Sequence, residues 1–75
     1  MLKIPSRATV DAIRAQYPAG TRVRLLAMED TQAPPIGTMG TIRGVDDMGS
    51  VMVAWDNGCG LSVCLDAGDR IEVME

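Results

Sequence analysis

The sequence contains no histidine and no phenylalanine, a single lysine, and only two aromatic residues, Tyr17 and Trp55. Each scarcity removes a class of function. Without histidine, no side chain has an ordinary pKa near neutrality, and the commonest general base is missing. Ser50, Ser62, Cys59 and Cys64 have no base and orienting partner to activate them, and Lys3 sits close to the amino terminus. Enzymatic activity is not expected. Two aromatics are too few for the stacking platforms of a single-strand nucleic-acid binder, and both fall on faces read below as buried. Two cysteines without histidine fall short of the four ligands of a structural zinc site. Cys59 and Cys64 are five positions apart, so on one strand they point to opposite faces, and they read as small hydrophobes in a reducing cytoplasm. The pairs Asp46 with Asp47 and Asp66 with Asp69 read as turn formers rather than cation ligands, so neither metal nor cofactor is expected. The longest uncharged run, Thr31 to Ile42, is broken by Pro34 and Pro35 and is shorter than the roughly 18 residues of a membrane span. Met1-Leu2-Lys3-Ile4-Pro5 lacks an apolar core of signal-peptide length. A cytoplasmic setting is expected.

What is present is one domain, residues 1–75, with 47% apolar side chains and a formal charge of −3. A chain this short hides only ~60% of the surface its unfolded form exposes, which leaves a thin stability margin. Its charge is segregated along the sequence. Residues 1–24 hold Lys3, Arg7, Arg14, Arg22 and Arg24 against Asp11 alone, a net of +4. Residues 25–75 hold Arg43 and Arg70 against nine acids, a net of −7. This reads as a molecule with a basic end and an acidic end.

The spacing predicts a helix over residues 6–17. Ser6 or Thr9 serves as N-cap, Asp11 lies near the positive end of the dipole, and Val10, Ile13 and Tyr17 form one apolar stripe. Arg7 and Arg14 lie beside that stripe. Tyr17-Pro18-Ala19-Gly20 ends the helix, because a residue before proline avoids the α region. From Thr21 the period changes to two. Val23 and Leu25 mark the dry face of a first strand, and Glu29 to Ile36 forms a proline-bearing loop. Thr41 to Val45 makes a second strand with Gly44 as a bulge, and Ser50 to Trp55 a third, with Val51, Val53 and Trp55 on one face. Asp56-Asn57-Gly58 predicts a hairpin with a type I′ turn. A fourth strand is expected over Cys59 to Leu65, with Leu61, Val63 and Leu65 inward. A fifth runs from Arg70 to Met74, with Ile71 and Val73 inward. The expected fold is a mainly β, α+β domain: a small five-stranded SH3-like barrel over residues 21–75, plugged by one amino-terminal helix.

Two stretches carry a family resemblance. Tyr17 to Leu25 reads Tyr-Pro-Ala-Gly-Thr-Arg-Val-Arg-Leu, and Pro34 to Gly58 includes Pro-x-Gly-Thr-x-Gly-Thr, Val-Asp-Asp-x-Gly and Trp-Asp-Asn-Gly. In this order they resemble domain-of-unknown-function family 4314, small proteins of bacteria, phages and mobile elements. The resemblance covers all but the first few residues and departs near Cys59 to Cys64. It implies an SH3-like barrel in a mobile-element setting, and it carries over no activity and no catalytic residue.

Binding remains, and two surfaces compete for it. The acidic turns offer Asp46, Asp47, Asp56, Asp66 and Asp69, with Met48 and Met52 as adaptable apolar contacts. These suit a protein partner, namely a host defence or nucleic-acid-processing complex that the chain would inhibit by occlusion. The alternative uses Arg7, Arg14, Arg22, Arg24 and Arg43 to hold phosphate, as a nucleic-acid-binding module or a sponge for a signalling nucleotide. A pI near 4.7 opposes binding to a polyanion. No membrane contact is expected, and the chain is read as a monomer or homodimer.

Overall fold

Ser6 fixes where the chain first becomes regular. In the computed structural model, which describes residues 5–74, α1 spans Arg7–Gln16. Ser6 stays extended, and its hydroxyl oxygen accepts the Thr9 N–H at 3.1 Å, so Ser6 rather than Thr9 is the cap. Asp11 lies beyond the first turn, which holds no acid, whereas Arg14 occupies the last turn and complements its negative end. Helical bonding stops at Tyr17, whose N–H donates to the Ile13 carbonyl at 2.9 Å before Pro18 blocks continuation. Val10 and Tyr17 are buried, and Ile13 packs against the core beside them. Lys3 lies outside the described residues.

Four strands follow: β1 (Arg22–Ala27), β2 (Met39–Val45), β3 (Val51–Trp55) and β4 (Arg70–Met74). They form one antiparallel sheet in the order β3-β2-β1-β4, with a short 3-10 turn, Leu65–Ala67, leading into β4. Alternation works as expected on the inner face, where Val23, Leu25, Ile42, Val51, Val53 and Trp55 are buried together with Val63 and Ile71. The β2–β3 register shifts between Ile42 and Gly44, so the glycine bulge is present.

The structure corrects the expected barrel: it is a helix with a four-stranded open sheet, and the segment Cys59 to Leu65 is not a strand. The chain departs from a regular ladder just after Trp55. Gly58 N–H donates to the Trp55 carbonyl at 3.0 Å, and Trp55 N–H donates to the Cys59 carbonyl at 3.1 Å. Only glycines have positive φ among the described residues, so Asn57 does not, and the turn is not type I′. Gly58 alone, at φ 91°, takes the left-handed position that closes a three-residue loop with a bulge. The Leu61 carbonyl, which stands where a fifth strand would meet Val53, accepts the Trp55 indole N–H at 2.9 Å. No main-chain bond joins Leu61 to Val53 among the described residues. Beyond the turn, Val63 bridges back to β3 as an isolated pair, exchanging bonds of 2.9 and 2.8 Å with Val51. Val73, expected inward, is 45% exposed because β4 is an edge strand and little covers its end. Among the described residues no helix is long and apolar enough to cross a membrane.

Candidate interaction surface

The alternation that buries Val23 and Leu25 turns Arg22 and Arg24 onto the opposite, wet face of the sheet. There Arg22 stands across from Thr41 on one side and Met74 on the other, and Arg24 stands between Met39 and Glu72. Arg22 donates to the Thr41 hydroxyl at 2.8 Å and, in bidentate fashion, to both carboxylate oxygens of Asp56 at 2.9 and 2.6 Å. These direct hydrogen bonds hold the Asp56 carboxyl below its ordinary range, against a smaller opposing desolvation, and raise Arg22 further. Arg24 forms an ion pair with Glu72. On this face both β1 arginines are paired with carboxylates, and Met39 and Met74 lie beside them.

A second cluster forms where α1 crosses the β2–β3 turn. Arg14 donates through Nε to the Val45 carbonyl and through Nη2 to Asp47, both at 3.1 Å, and its Nη1 lies 3.6 Å from Asp11. Arg7 is 3.9 Å from Asp11 on the same helix. Together with Pro5 and Val10, the residues Arg7, Arg14 and Asp47 line a shallow cleft of about 270 Å³. Two arginines and two aspartates leave this cluster without net charge. Arg43 is exposed and has no ion pair among the described residues.

The fold therefore interleaves charges that the sequence keeps apart. Arg14, Arg22 and Arg24 each meet a carboxylate from the acidic part of the chain, namely Asp47, Asp56 and Glu72. Exposed pairs of this kind contribute little stability, but they cancel the local field. The acidic candidates divide by role. Asp46 accepts the N–H groups of Met48 at 3.0 Å and Ser50 at 2.9 Å, so its carboxylate shapes the turn. Asp69, only 8% exposed, accepts the Cys64 N–H at 2.9 Å and secures the connection into β4. Asp47 and Asp66 project into solvent, and Asp56 does so while holding Arg22. Among the described residues no three cysteine or carboxylate side chains gather where a metal ion would sit.

Apolar exposure is scattered around this frame. Met48 is 45% exposed on the β2–β3 turn, and Met52 is 37% exposed on the wet face of β3. Ile36, Leu26 and Val73 are exposed as well, while Met28 packs against the core. Sequence reading passed over Ile36, although its place after two prolines in a polar loop was the available signal. The cleft was invisible to it, since its walls come from α1 and a turn more than thirty residues away.

Among known protein families, the one described as Domain of unknown function (DUF4314) matches residues 6–74. No curated protein and no solved structure matches the chain.

Proposed function

The chain belongs to the DUF4314 family, and from that premise we propose that it is a non-catalytic module that works by binding another protein. One observation carries this reading: Arg14, Arg22 and Arg24, the core of the basic segment, are each neutralised by a carboxylate of the same molecule. A phosphate ligand would have to displace those carboxylates. The acidic groups presented to a partner are Asp66, which has no ion pair among the described residues, and Asp47, whose carboxylate stays exposed while one oxygen holds Arg14, with Met48 and Met52 as apolar contacts. An acidic, adaptable surface suits a basic cleft on the partner. In the mobile-element setting that the family resemblance implies, that partner is a host defence or nucleic-acid-processing complex, inhibited by occlusion. An SH3-like strand plan belongs to the same proposal. A long loop after β1, hairpin-linked β2 and β3, the Val51–Val63 bridge and a last strand returning to β1 support an SH3-like strand plan, with the chain 59–65 held less tightly than a full strand.

The second reading, phosphate binding, is favoured by Arg43, which has no ion pair among the described residues, and by Arg7 at the cleft. An electrophoretic shift assay on mixed-sequence DNA and RNA at low salt separates the two. The proposal expects no shift. A shift that weakens steeply with salt and disappears in Arg7→Glu with Arg43→Glu would replace it with the phosphate reading. The positive test is association with a partner captured from the native host. Asp47→Lys with Asp66→Lys should slow association at low salt, whereas Arg7→Glu with Arg43→Glu should leave it unchanged.

A further inference from the structure

β4 is an edge of the sheet, and the register identifies which of its main-chain groups are open. Leu25 N–H donates to the Thr38 carbonyl at 2.9 Å, and the Leu25 carbonyl accepts the Gly37 N–H at 2.8 Å. The main chain of Leu25 thus points toward the β2 side, as does the Thr21 carbonyl, which accepts the Ile42 N–H at 2.9 Å. Antiparallel neighbours alternate between pairs that exchange bonds and pairs that do not. Between β1 and β4 the bonded pairs are therefore Arg22 with Met74 and Arg24 with Glu72, while Leu25 with Ile71 and Val23 with Val73 are the others. Ile71 and Val73 direct their N–H and C=O groups outward. Among the described residues no main-chain partner meets them. An edge of this kind is a template for another strand.

The charges on that strand select what fits. Arg70 and Glu72 alternate with Ile71 and Val73, so they share the wet face. Pairing keeps inner and outer faces only in registers two residues apart. With Ile71 opposite Ile71 of a second copy, Arg70 faces Glu72 of that copy, and symmetry repeats the contact. Shifting so that Ile71 faces Val73 sets Glu72 against Glu72, with like charges directly opposed. Centring on Val73 sets Glu72 against Met74 and forms no charge pair. In the first register Glu72 lies between Arg24 of its own chain and Arg70 of the other. We propose that β4 pairs antiparallel with β4 of a second copy of this chain, centred on Ile71, joining two four-stranded sheets across a two-fold axis.

Sedimentation velocity over a concentration series tests this with the full chain. The parent should show a concentration-dependent dimer. Arg70→Glu alone and Glu72→Arg alone each set like charges against each other, and each should weaken the dimer by about tenfold or more. An equimolar mixture of the two variants restores both opposite-charge contacts and should recover the dimer. Val73→Pro removes an outward N–H while leaving the β1 ladder intact, and it should weaken the dimer too. A parent that stays monomeric at every concentration overturns the proposal. So does a dimer indifferent to Arg70→Glu and Val73→Pro. A mixture that fails to recover association, with Trp55 fluorescence showing both variants folded, overturns the register.

Discussion

Replacing Gly40 with alanine should destabilise the domain through steric conflict rather than backbone strain. Gly40 lies in β2 opposite Trp55, and its φ is not positive. A Cβ built there would stand 2.6 Å from Val53 Cγ1, 2.8 Å from Trp55 Cε3 and 3.1 Å from the Ala54 carbonyl oxygen. The first two distances lie far inside van der Waals contact, and the third involves main chain that cannot swing away. Both neighbours are buried, at 1% and 3% exposure, so neither has open space to enter. Overpacking of a tight core costs about 1–3 kcal/mol. A chain of 75 residues has a total stability of roughly 4–11 kcal/mol, so the loss is a large share of it. With a urea slope of about 1 kcal/mol/M, the midpoint should fall by roughly 1–3 M. Trp55 fluorescence reports the transition and touches the added methyl directly. Val53→Ala removes the closest clashing atom, so the double variant should be less destabilised than the sum of the single variants, by about 0.5 kcal/mol or more. An unchanged midpoint in Gly40→Ala, or strict additivity with Val53→Ala, would refute the reasoning. Gly58 is the control. A Cβ there meets nothing within 4 Å, but φ is 91°, so Gly58→Val should cost about 1–3 kcal/mol from conformation alone and show no coupling to Val53→Ala.

Trp55 should emit at short wavelength and resist acrylamide quenching, because it is buried and its indole N–H is held by the Leu61 carbonyl; Trp55→Ala should cost roughly 3–5 kcal/mol. Red-shifted, readily quenched emission would contradict that burial. Asp69→Ala leaves the Cys64 N–H without its acceptor and should lower stability by about 1–3 kcal/mol, measured by urea titration, whereas Asp66→Ala at an exposed site should be close to neutral. Asp56 is bonded by Arg22 and its folded pKa is lowered, so its contribution is present above the unfolded carboxylate pKa and is lost as pH falls through the folded value. Thermal melts of the parent and Asp56→Asn should therefore differ at neutral pH and converge in acid; a difference that grows on acidification would reverse the assigned sign.

Local rules carried the sequence reading a long way. An N-cap at Ser6 or Thr9, of which the structure uses Ser6, Tyr17-Pro18 as stop, the alternation of Val23 and Leu25, the Gly44 bulge and the inward face of Val51, Val53 and Trp55 all follow from spacing and backbone preference within a few residues. Asn57-Gly58 marked a turn correctly but not its type, because Asn57 keeps a negative φ and Gly58 alone supplies the left-handed position. The missing fifth strand was beyond such rules. Cys59 to Leu65 has a strand's apolar pattern, yet it meets β3 through an isolated Val51–Val63 bridge and a bond from the Trp55 indole to the Leu61 carbonyl, contacts that depend on where the core places that ring. Val73 likewise has an inward pattern and an exposed side chain, because periodicity assigns a face but not whether anything covers it. Charge shows the division most plainly. Composition along the chain determined a basic segment and an acidic one. Only the tertiary structure decided that they meet, through partners 33, 34 and 48 residues apart in the sequence. Strand order and register, which no local preference encodes, bring each of those arginines against its carboxylate.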